Sequence, residues 1–209
     1  LASPSTLCRL ENHSDRKNAL AIHQVMFKQF IKSFKRPPRE LIFDFDATDD
    51  TVHGNQEGSF FHGYYDSYCF LPLYVFCGEQ LLVSYLRPSK IDGAKHAWAI
   101  LSLLVKQLRK VWPRVKIIFR GDSGFCRHKM LLWCEKNEVD YVVGLAKNKR
   151  LNASSQDIQK TAEEGFKQTG NKQRLFGEFH YAAKTWGRTR RIIAKAEHTA
   201  KGLNPRYII

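Results

Sequence analysis

The sequence predicts an α/β fold in which a mixed sheet is flanked by helices. Residues 41–45 and 116–119 are short, nearly continuous apolar runs, which are typical of strands buried on both faces. Residues 94–111 carry an apolar stripe with a helical period. The predicted order is strand, hairpin, helix, strand, helix, strand, and this order favours a mixed sheet covered by helices. At 209 residues and 43% hydrophobic content, the chain is long enough to bury one sizeable core.

The N-terminal segment is predicted to be helical. Apolar residues recur at three-to-four spacing from Ala19 to Phe34, and Pro37 with Pro38 ends that helix. Because the whole chain is basic, with a formal net charge of +14, we interpret residues 1–38 as a helical segment that is part of a DNA-binding region. The first strand, Leu41 to Phe45, follows and is expected to lie at the centre of the sheet.

The middle of the chain contains a hairpin and two strand-helix units. Residues 68–76 and 80–86 are predicted strands that meet at Gly78, with Pro72 at a bulge or near a strand start. The helix of residues 94–111 ends near Pro113. Strand 116–119, a helix over about 125–136 and strand 141–145 come next.

Beyond Lys147 the composition becomes basic and the apolar pattern shortens. Strands are predicted at 175–181 and 191–196, so we interpret residues 148–209 as a basic insertion richer in strand than helix. The chain begins with Leu1 and stops on the apolar run Tyr207 to Ile209. We therefore expect a fragment in which the insertion is truncated.

Charge and hydropathy restrict the class of partner. The formal net charge is +14, which favours a polyanion and makes nucleic acid the first expectation. The alternative is a basic protein with a solvated cationic surface. No apolar stretch approaches the roughly 20 residues that cross a bilayer, so we expect a cytoplasmic protein without a membrane partner.

Aspartates follow two of the buried strands. Asp44 and Asp46 lie at the end of the run Leu41-Ile42-Phe43-Asp44-Phe45-Asp46, and Asp122 follows Ile117-Ile118-Phe119-Arg120-Gly121. Because open sheets place ligands at such strand ends, a shared metal site is the preferred interpretation. Each site alone also fits a structural role, since Asp46 could begin a turn and Asp122 could cap a helix.

Two families resemble these motifs. The segment from Leu41 to Thr48 looks like the first motif of haloacid-dehalogenase-type phosphatases, in which Asp44 would be the nucleophile and Asp46 the acid/base. That family has a second carboxylate about four residues after its late Gly-Asp, where this chain has Cys126. The resemblance therefore fails at the metal end of the site.

A second resemblance covers the chain from about Thr6 to the last residue. The segments that carry it are Asp46-Ala47-Thr48, Val52-His53-Gly54-Asn55-Gln56-Glu57-Gly58, Arg120-Gly121-Asp122-Ser123-Gly124-Phe125 and Val139-Asp140-Tyr141-Val142-Val143-Gly144. They resemble a DDE transposase of bacterial insertion sequences, whose catalytic domain has the ribonuclease H-like fold. The resemblance implies a mixed five-stranded sheet over residues 39–147 and a β-rich insertion after the fifth strand.

The same resemblance implies the catalytic residues and the reaction. Asp46 and Asp122 fall on the first two catalytic carboxylates, Asp44 becomes a supporting residue, and Mg²⁺ (or Mn²⁺) is the expected cofactor. The third member, a glutamate in a Tyr-x-x-Arg-x-x-x-Glu context, has no match, and neither Glu178 nor Glu197 has that context. We expect a relative with all three carboxylates to cleave DNA and transfer strands, and this fragment to be inactive or nearly so.

Two basic segments are candidate phosphate contacts. Lys147, Lys149 and Arg150 follow the last core strand near the carboxylate end of the sheet. The second segment combines cations with Trp186, and it equally fits a solvated hairpin tip. Its cations are Lys184, Arg188, Arg190 and Arg191.

The resemblance also implies the partners and the setting of the protein. The expected partners are the insertion-sequence ends and target DNA, with a homodimer in the full-length protein and a nucleoid-associated location in a bacterium. A non-catalytic DNA-binding remnant, or an inhibitor that pairs with a full-length transposase, is the non-enzymatic alternative.

Overall fold

The computed structural model describes residues 2–209, which form helices packed around one large sheet and a small separate sheet. The helices are α1 (Pro4–His13), α2 (Arg16–Ser33), α3 (Ala97–Val111), α4 (His128–Lys136), α5 (Lys149–Ser154) and α6 (Gln156–Thr169). The strands are β1 (Glu40–Ala47), β2 (Asp50–Thr51), β3 (Phe60–His62), β4 (Ser67–Phe70), β5 (Leu73–Cys77), β6 (Gln80–Tyr85), β7 (Lys116–Gly121), β8 (Val139–Leu145), β9 (Gln173–Tyr181), β10 (Arg190–Thr199), β11 (Gly202–Leu203) and β12 (Arg206–Ile208).

Five strands form the centre of the large sheet in the order β6-β5-β1-β7-β8. β5 is antiparallel to both β1 and β6, whereas β7 is parallel to both β1 and β8. This order and these directions are those of a ribonuclease H-like sheet. The predicted α/β class with a mixed sheet flanked by helices is therefore confirmed.

The sheet continues past these five strands, to nine within the described residues. β12 pairs with β8, β10 pairs with β12, and β9 and β11 pair with β10. The basic segment after Lys147 thus adds its strands to the same sheet. It also contains α5 and α6, which the sequence did not predict, because their apolar stripe is narrow and only Leu151 and Ala162 are fully buried.

Local geometry moves several predicted elements. Residues 71–72 separate the predicted strand 68–76 into β4, which belongs to a three-stranded sheet with β2 and β3, and β5 in the large sheet. Pro72 lies in this gap because it cannot donate to a sheet ladder. The β5–β6 hairpin turns at Gly78, as predicted. Gly78 has a φ of 58°, which glycine adopts without strain. The predicted helix 125–136 begins only at His128, after a 3₁₀ turn from Ser123 to Phe125.

One hydrophobic core joins the sheet to the helices. Leu41, Phe43 and Phe45 point to one face of β1 and are buried in the same cluster as Leu101 and Leu108 of α3. The end of α2 joins this core through Phe30, whose ring contacts those of Phe34 and Trp112. The first half of α2 remains exposed, with Ile22 at 57%.

No helix within residues 2–209 is both long and apolar enough to cross a membrane.

Candidate functional site

Asp46 and Asp122 lie at the carboxyl ends of adjacent parallel strands. The register pairs Phe45 of β1 with Gly121 of β7, so Asp46 and Asp122 occupy the next position in that register. Both side chains are exposed. Two carboxylates are therefore presented side by side to solvent at one edge of the sheet, which is the arrangement that strand-end reasoning predicts.

The chain around Asp122 is held by close packing. Its carboxylate Oδ1 accepts a hydrogen bond from the backbone N–H of Gly124 at 2.8 Å, which caps the 3₁₀ turn. Across the sheet, a Cβ on Gly144 of β8 would lie 2.8 Å from the Ser123 nitrogen and 3.1 Å from the Asp122 carbonyl carbon. Gly144 thus lets the backbone that carries Asp122 lie directly against β8.

Asp46 lies beside the loops that surround the end of β1. In the described residues its carboxylate accepts no hydrogen bond, so both oxygens are available to a ligand. Burial raises the pKa of the Tyr65 hydroxyl, and the negative charges of Asp49 and Asp46 raise it further. The Tyr65 hydroxyl therefore stays neutral within electrostatic range of the Asp46 carboxylate. Gly93 lies beside the end of β1, where an added Cβ would be in ordinary van der Waals contact with the Ala47 Cβ at 3.6 Å.

Asp44 has a different environment from Asp46. Its two oxygens accept hydrogen bonds from Nε and Nη2 of Arg120, the residue directly opposite on β7. This forked ion pair occupies both carboxylate oxygens. The pairing role of Arg120 was not predicted from the sequence, where this residue is only part of a motif. The signal that could have revealed its role is the equal spacing, since Asp44 and Arg120 each stand two residues before a strand-end aspartate.

A third carboxylate does not join this pair among residues 2–209, where no group of three or more His, Cys, Asp or Glu side chains could hold a metal ion. Glu178 pairs with Arg191, and Glu197 lies among Lys172, Arg174 and Lys195. The hydrogen bond from Lys172 is the largest cause that lowers the pKa of Glu197, to about 2. Both glutamates are therefore engaged by cations.

The first predicted phosphate-contact segment is exposed at the exit of β8. Lys147 donates from Nζ to the Asn204 side-chain oxygen at 2.9 Å. Lys149 opens α5, where Asn148 is the N-cap. The Arg150 guanidinium lies 4.9 Å from the centre of the Tyr181 ring. All three cations face solvent and are accessible to a phosphate.

The second predicted segment is divided between surface and interior. Lys184 and Arg188 are exposed, and Arg191 forms an exposed ion pair with Glu178. In contrast, the Arg190 side chain is only 3% exposed. Its guanidinium donates to both Glu135 oxygens at 2.7 and 3.2 Å and lies 4.8 Å from the Trp186 ring centre.

Arg190 is therefore a buried structural cation, in contrast to the predicted DNA contact. Tyr141 donates a further hydrogen bond to Glu135 at 2.8 Å. Burial alone would raise the pKa of Glu135, but the hydrogen bonds from Arg190 and Tyr141 outweigh it and hold that pKa below its ordinary value. Burial and the hydrogen bond to Glu135 raise the pKa of Tyr141 to about 12. The cluster fixes the β9–β10 hairpin to α4 and β8.

The fold and the site define a ribonuclease H-like domain with two carboxylates at the ends of its parallel strands. The family model for the transposase DDE domain, group 1, matches residues 1–209, so the chain belongs to that family. Enzymes of this class use divalent metal ions. Comparison with curated protein sequences gives no match.

Among solved structures, the chain is similar to a piggyBac transposase in a synaptic complex with hairpin DNA, determined by cryo-electron microscopy. The TM-score is 0.45 and the sequence identity 12%. The match covers 83% of this chain and 33% of the piggyBac chain, so this chain spans about a third of that protein's length.

Proposed function

We propose that this chain is the catalytic region of a bacterial insertion-sequence transposase, which cleaves DNA at the element's ends and joins those ends to target DNA. The observation that carries the proposal is the side-by-side position of Asp46 and Asp122 in a chain of the DDE family. The proposed setting is the bacterial cytoplasm, at the nucleoid, with a homodimer as the full-length assembly.

The residues at the strand ends fit a divalent cation. Carboxylate oxygens are the preferred ligands of Mg²⁺, which proteins commonly bind through one or two carboxylates together with substrate phosphates. Asp46 offers two free oxygens, and Asp122 offers Oδ2 because Oδ1 caps the turn. When bound there, Mg²⁺ or Mn²⁺ would supply Lewis-acid stabilisation of phosphodiester oxygens. Asp46 and Asp122 would position the cation against the DNA backbone.

We further propose that the 209 residues alone do not cleave DNA. The resemblance assigns the third carboxylate to a glutamate whose motif this sequence does not contain, and the ion pairs of Glu178 and Glu197 make both poor substitutes. Two carboxylates can hold a cation but leave a pair of cations under-coordinated. This chain by itself would then bind DNA without cutting it, as the remnant alternative requires.

The exposed cations near the carboxylates support a DNA partner. We propose that Lys147, Lys149 and Arg150 contact phosphates next to the site, and that Lys184, Arg188 and Arg191 contact phosphates further along the hairpin. Arg190 is left out of this surface because its charge is buried and compensated by Glu135.

A phosphatase mechanism is not favoured. It would need the Asp44 carboxylate as a nucleophile, yet both Asp44 oxygens accept hydrogen bonds from Arg120. A carboxylate held in this way is poorly placed to attack a phosphate.

The proposal is tested by cation binding to three single variants of the chain. Asp46→Asn and Asp122→Asn each remove one of two ligands and are expected to abolish measurable Mn²⁺ binding, followed by electron paramagnetic resonance. Asp44→Asn is the matched control, one position along the same face, and is expected to retain binding. Loss of binding in Asp44→Asn alone, or a phosphoaspartate at Asp44 after incubation with a phosphate ester, would contradict the proposal.

A further inference from the structure

The large sheet presents one continuous face that begins at the two carboxylates. Side chains of residues directly opposite one another in a sheet point to the same face. The register pairs Gly121 of β7 with Val143 of β8, so Gly144 occupies the position opposite Asp122. Ile208 of β12 lies opposite Gly144. Ile193 of β10 lies opposite Ile208 in turn. Asp46 and Asp122 therefore belong to one row of side chains that crosses β8 and β12 and reaches β10. At ~4.8 Å per strand, β10 lies about 19 Å from β1.

The next rows on this face carry positive charge. Lys195 of β10 lies opposite Arg206 of β12 on one side and Phe176 of β9 on the other. These residues are two positions further toward the carboxyl end of β8, so their row lies about 7 Å beyond the level of the carboxylates. Arg174 lies opposite Glu197 in the row after that.

The opposite face of these strands is covered, whereas this face is open. On the covered face, an added Cβ at Gly177 would lie 3.3 Å from Ile158 of α6, and the Tyr207 hydroxyl hydrogen-bonds Ser155 at 2.9 Å. On the open face, Phe176 is 63% exposed and Ile208 is 41% exposed. Phe176 lies directly opposite Lys195 in the register of β9 and β10.

The positive charge on the open face exceeds the negative charge. Glu197 is the common partner of three cations, with its Oε1 atom 2.9 Å from Lys172, 3.1 Å from Arg174 and 3.7 Å from Lys195. One carboxylate cannot compensate three positive charges. Arg206 adds a further exposed cation, and Arg191 is already paired with Glu178. We name Lys172, Arg174, Lys195 and Arg206, with Phe176 among them, the open basic face.

We propose that the open basic face binds the sugar-phosphate backbone of a DNA strand and guides it to Asp46 and Asp122. The inference rests on the proposed function, since it assigns the DNA path to that site. These cations differ from Lys184 and Arg188, at the tip of the β9–β10 hairpin, because they lie along the sheet. Clustered cations with an exposed aromatic ring match the chemistry of a nucleic-acid strand, whose phosphates pair with Lys and Arg and whose sugars and bases pack on rings.

The face is also continuous with the predicted contact at Lys147. Lys147 donates to the Asn204 side chain, and the Asn204 backbone N–H donates to the carbonyl of Glu197 at 2.7 Å. A strand that follows the open basic face would therefore pass Lys147 as it approaches the strand ends.

The test compares two triple variants of the 209-residue chain. Arg174→Gln/Lys195→Gln/Arg206→Gln removes three charges from the open basic face. Lys106→Gln/Lys110→Gln/Lys160→Gln removes three exposed charges from α3 and α6 and serves as the matched control. Binding to labelled duplex DNA, and to a single strand of the same length, is followed by fluorescence anisotropy over a series of KCl concentrations. Circular dichroism and thermal unfolding verify that each variant is folded.

The expected result is a loss of affinity of at least tenfold in the open-face variant. The slope of log K against log [KCl] should also become shallower, by up to about 2.7 for three lost phosphate contacts on duplex DNA at ~0.9 each. The change in slope of the control variant should be less than a third of the change in the open-face variant. The double variant Arg174→Lys/Arg206→Lys keeps the charges and should retain the slope of the unmodified chain. This comparison remains valid even when the triple variant does not fold.

Three outcomes overturn the inference, and they are distinguishable from failure of the proposed function. Equal slopes in the two triple variants would show that the face contributes no phosphate contacts. A changed slope in the charge-conserving variant would show that the cations act through folding. A labelled poly-glutamate peptide is measured in the same way. If the open-face variant loses binding to this peptide while its DNA binding is unchanged, the face would be assigned to an acidic protein. An unmodified chain that binds no DNA would contradict the proposed function itself.

Discussion

Adjacent arginines at the start of β10 form ion pairs of opposite character, and this contrast gives a quantitative prediction. Arg190 is 3% exposed and donates two hydrogen bonds to Glu135, which is 17% exposed. Arg191 is 65% exposed and pairs with Glu178, which is 61% exposed. The two substitutions Arg190→Gln and Arg191→Gln therefore compare a buried and an exposed pair within one strand.

The expected free energies follow from the exposure of each pair. Removing one partner of a buried pair costs about 3–5 kcal/mol, because the remaining charge stays uncompensated. We expect the lower end, about 3 kcal/mol, for Arg190→Gln because Glu135 keeps some contact with water, the hydrogen bond from Tyr141 and the ion pair with Arg188 at 3.5 Å. Exposed pairs contribute about 0–1 kcal/mol, so Arg191→Gln should be nearly neutral.

The assay is urea unfolding followed by far-ultraviolet circular dichroism, with equal m-values as the condition for comparing free energies. A loss of about 3 kcal/mol is a large share of the 5–15 kcal/mol by which most domains are stable, so it should be easily measured. If Arg190→Gln costs less than about 1 kcal/mol, or no more than Arg191→Gln, the structural role given to the buried pair is refuted. The DNA-binding measurement adds an independent check, since only Arg191→Gln should change the salt dependence.

Two further predictions concern stability. Gly144→Ala should destabilise the chain by about 1–3 kcal/mol in urea unfolding, because the new Cβ would lie 2.8 Å from the Ser123 backbone nitrogen. The control Gly187→Ala, with open space around it, should change the unfolding free energy by no more than about 0.5 kcal/mol. Similar losses in the two variants would show that the close approach at Gly144 is unimportant. The Glu135 pKa lies below its ordinary 4.5, so its pairing with Arg190 stabilises the fold above that pH and is lost as the pH falls through the lower folded value. Glu135→Gln should remove this part of the acid-induced loss in unfolding free energy, and an unchanged pH profile would contradict the assignment.

The central fold could be predicted because its signals are local. Strands buried on both faces give continuous apolar runs such as Ile117 to Phe119, and α3 repeats its apolar residues at helical spacing. The candidate carboxylates followed from the same runs, since Asp46 and Asp122 stand where two such strands end. No long-range information was needed to place them at one edge of a sheet.

The rest depended on contacts that are distant in sequence. Arg190 looked like a DNA contact because its neighbours are basic, but its partner Glu135 is 55 residues away. The open basic face was missed because its members come from three strands, and their shared face appears only once the registers of β9, β10 and β12 are known. The alternation of Arg174 and Phe176 in β9 was a local signal that could have indicated one half of it.

The short strand β12 determines how the two halves of the sheet depend on each other during folding. It lies between β8 and β10, and Ile209 exchanges two backbone hydrogen bonds of 2.9 Å with Val143. β8 and β10 would each present an unpaired edge until β12 is in place, and such edges template aggregation. Pairing β8 with residues more than 60 positions later is a non-local and therefore slow step. The edges of β8 and β10 would thus stay exposed until this slow pairing is made.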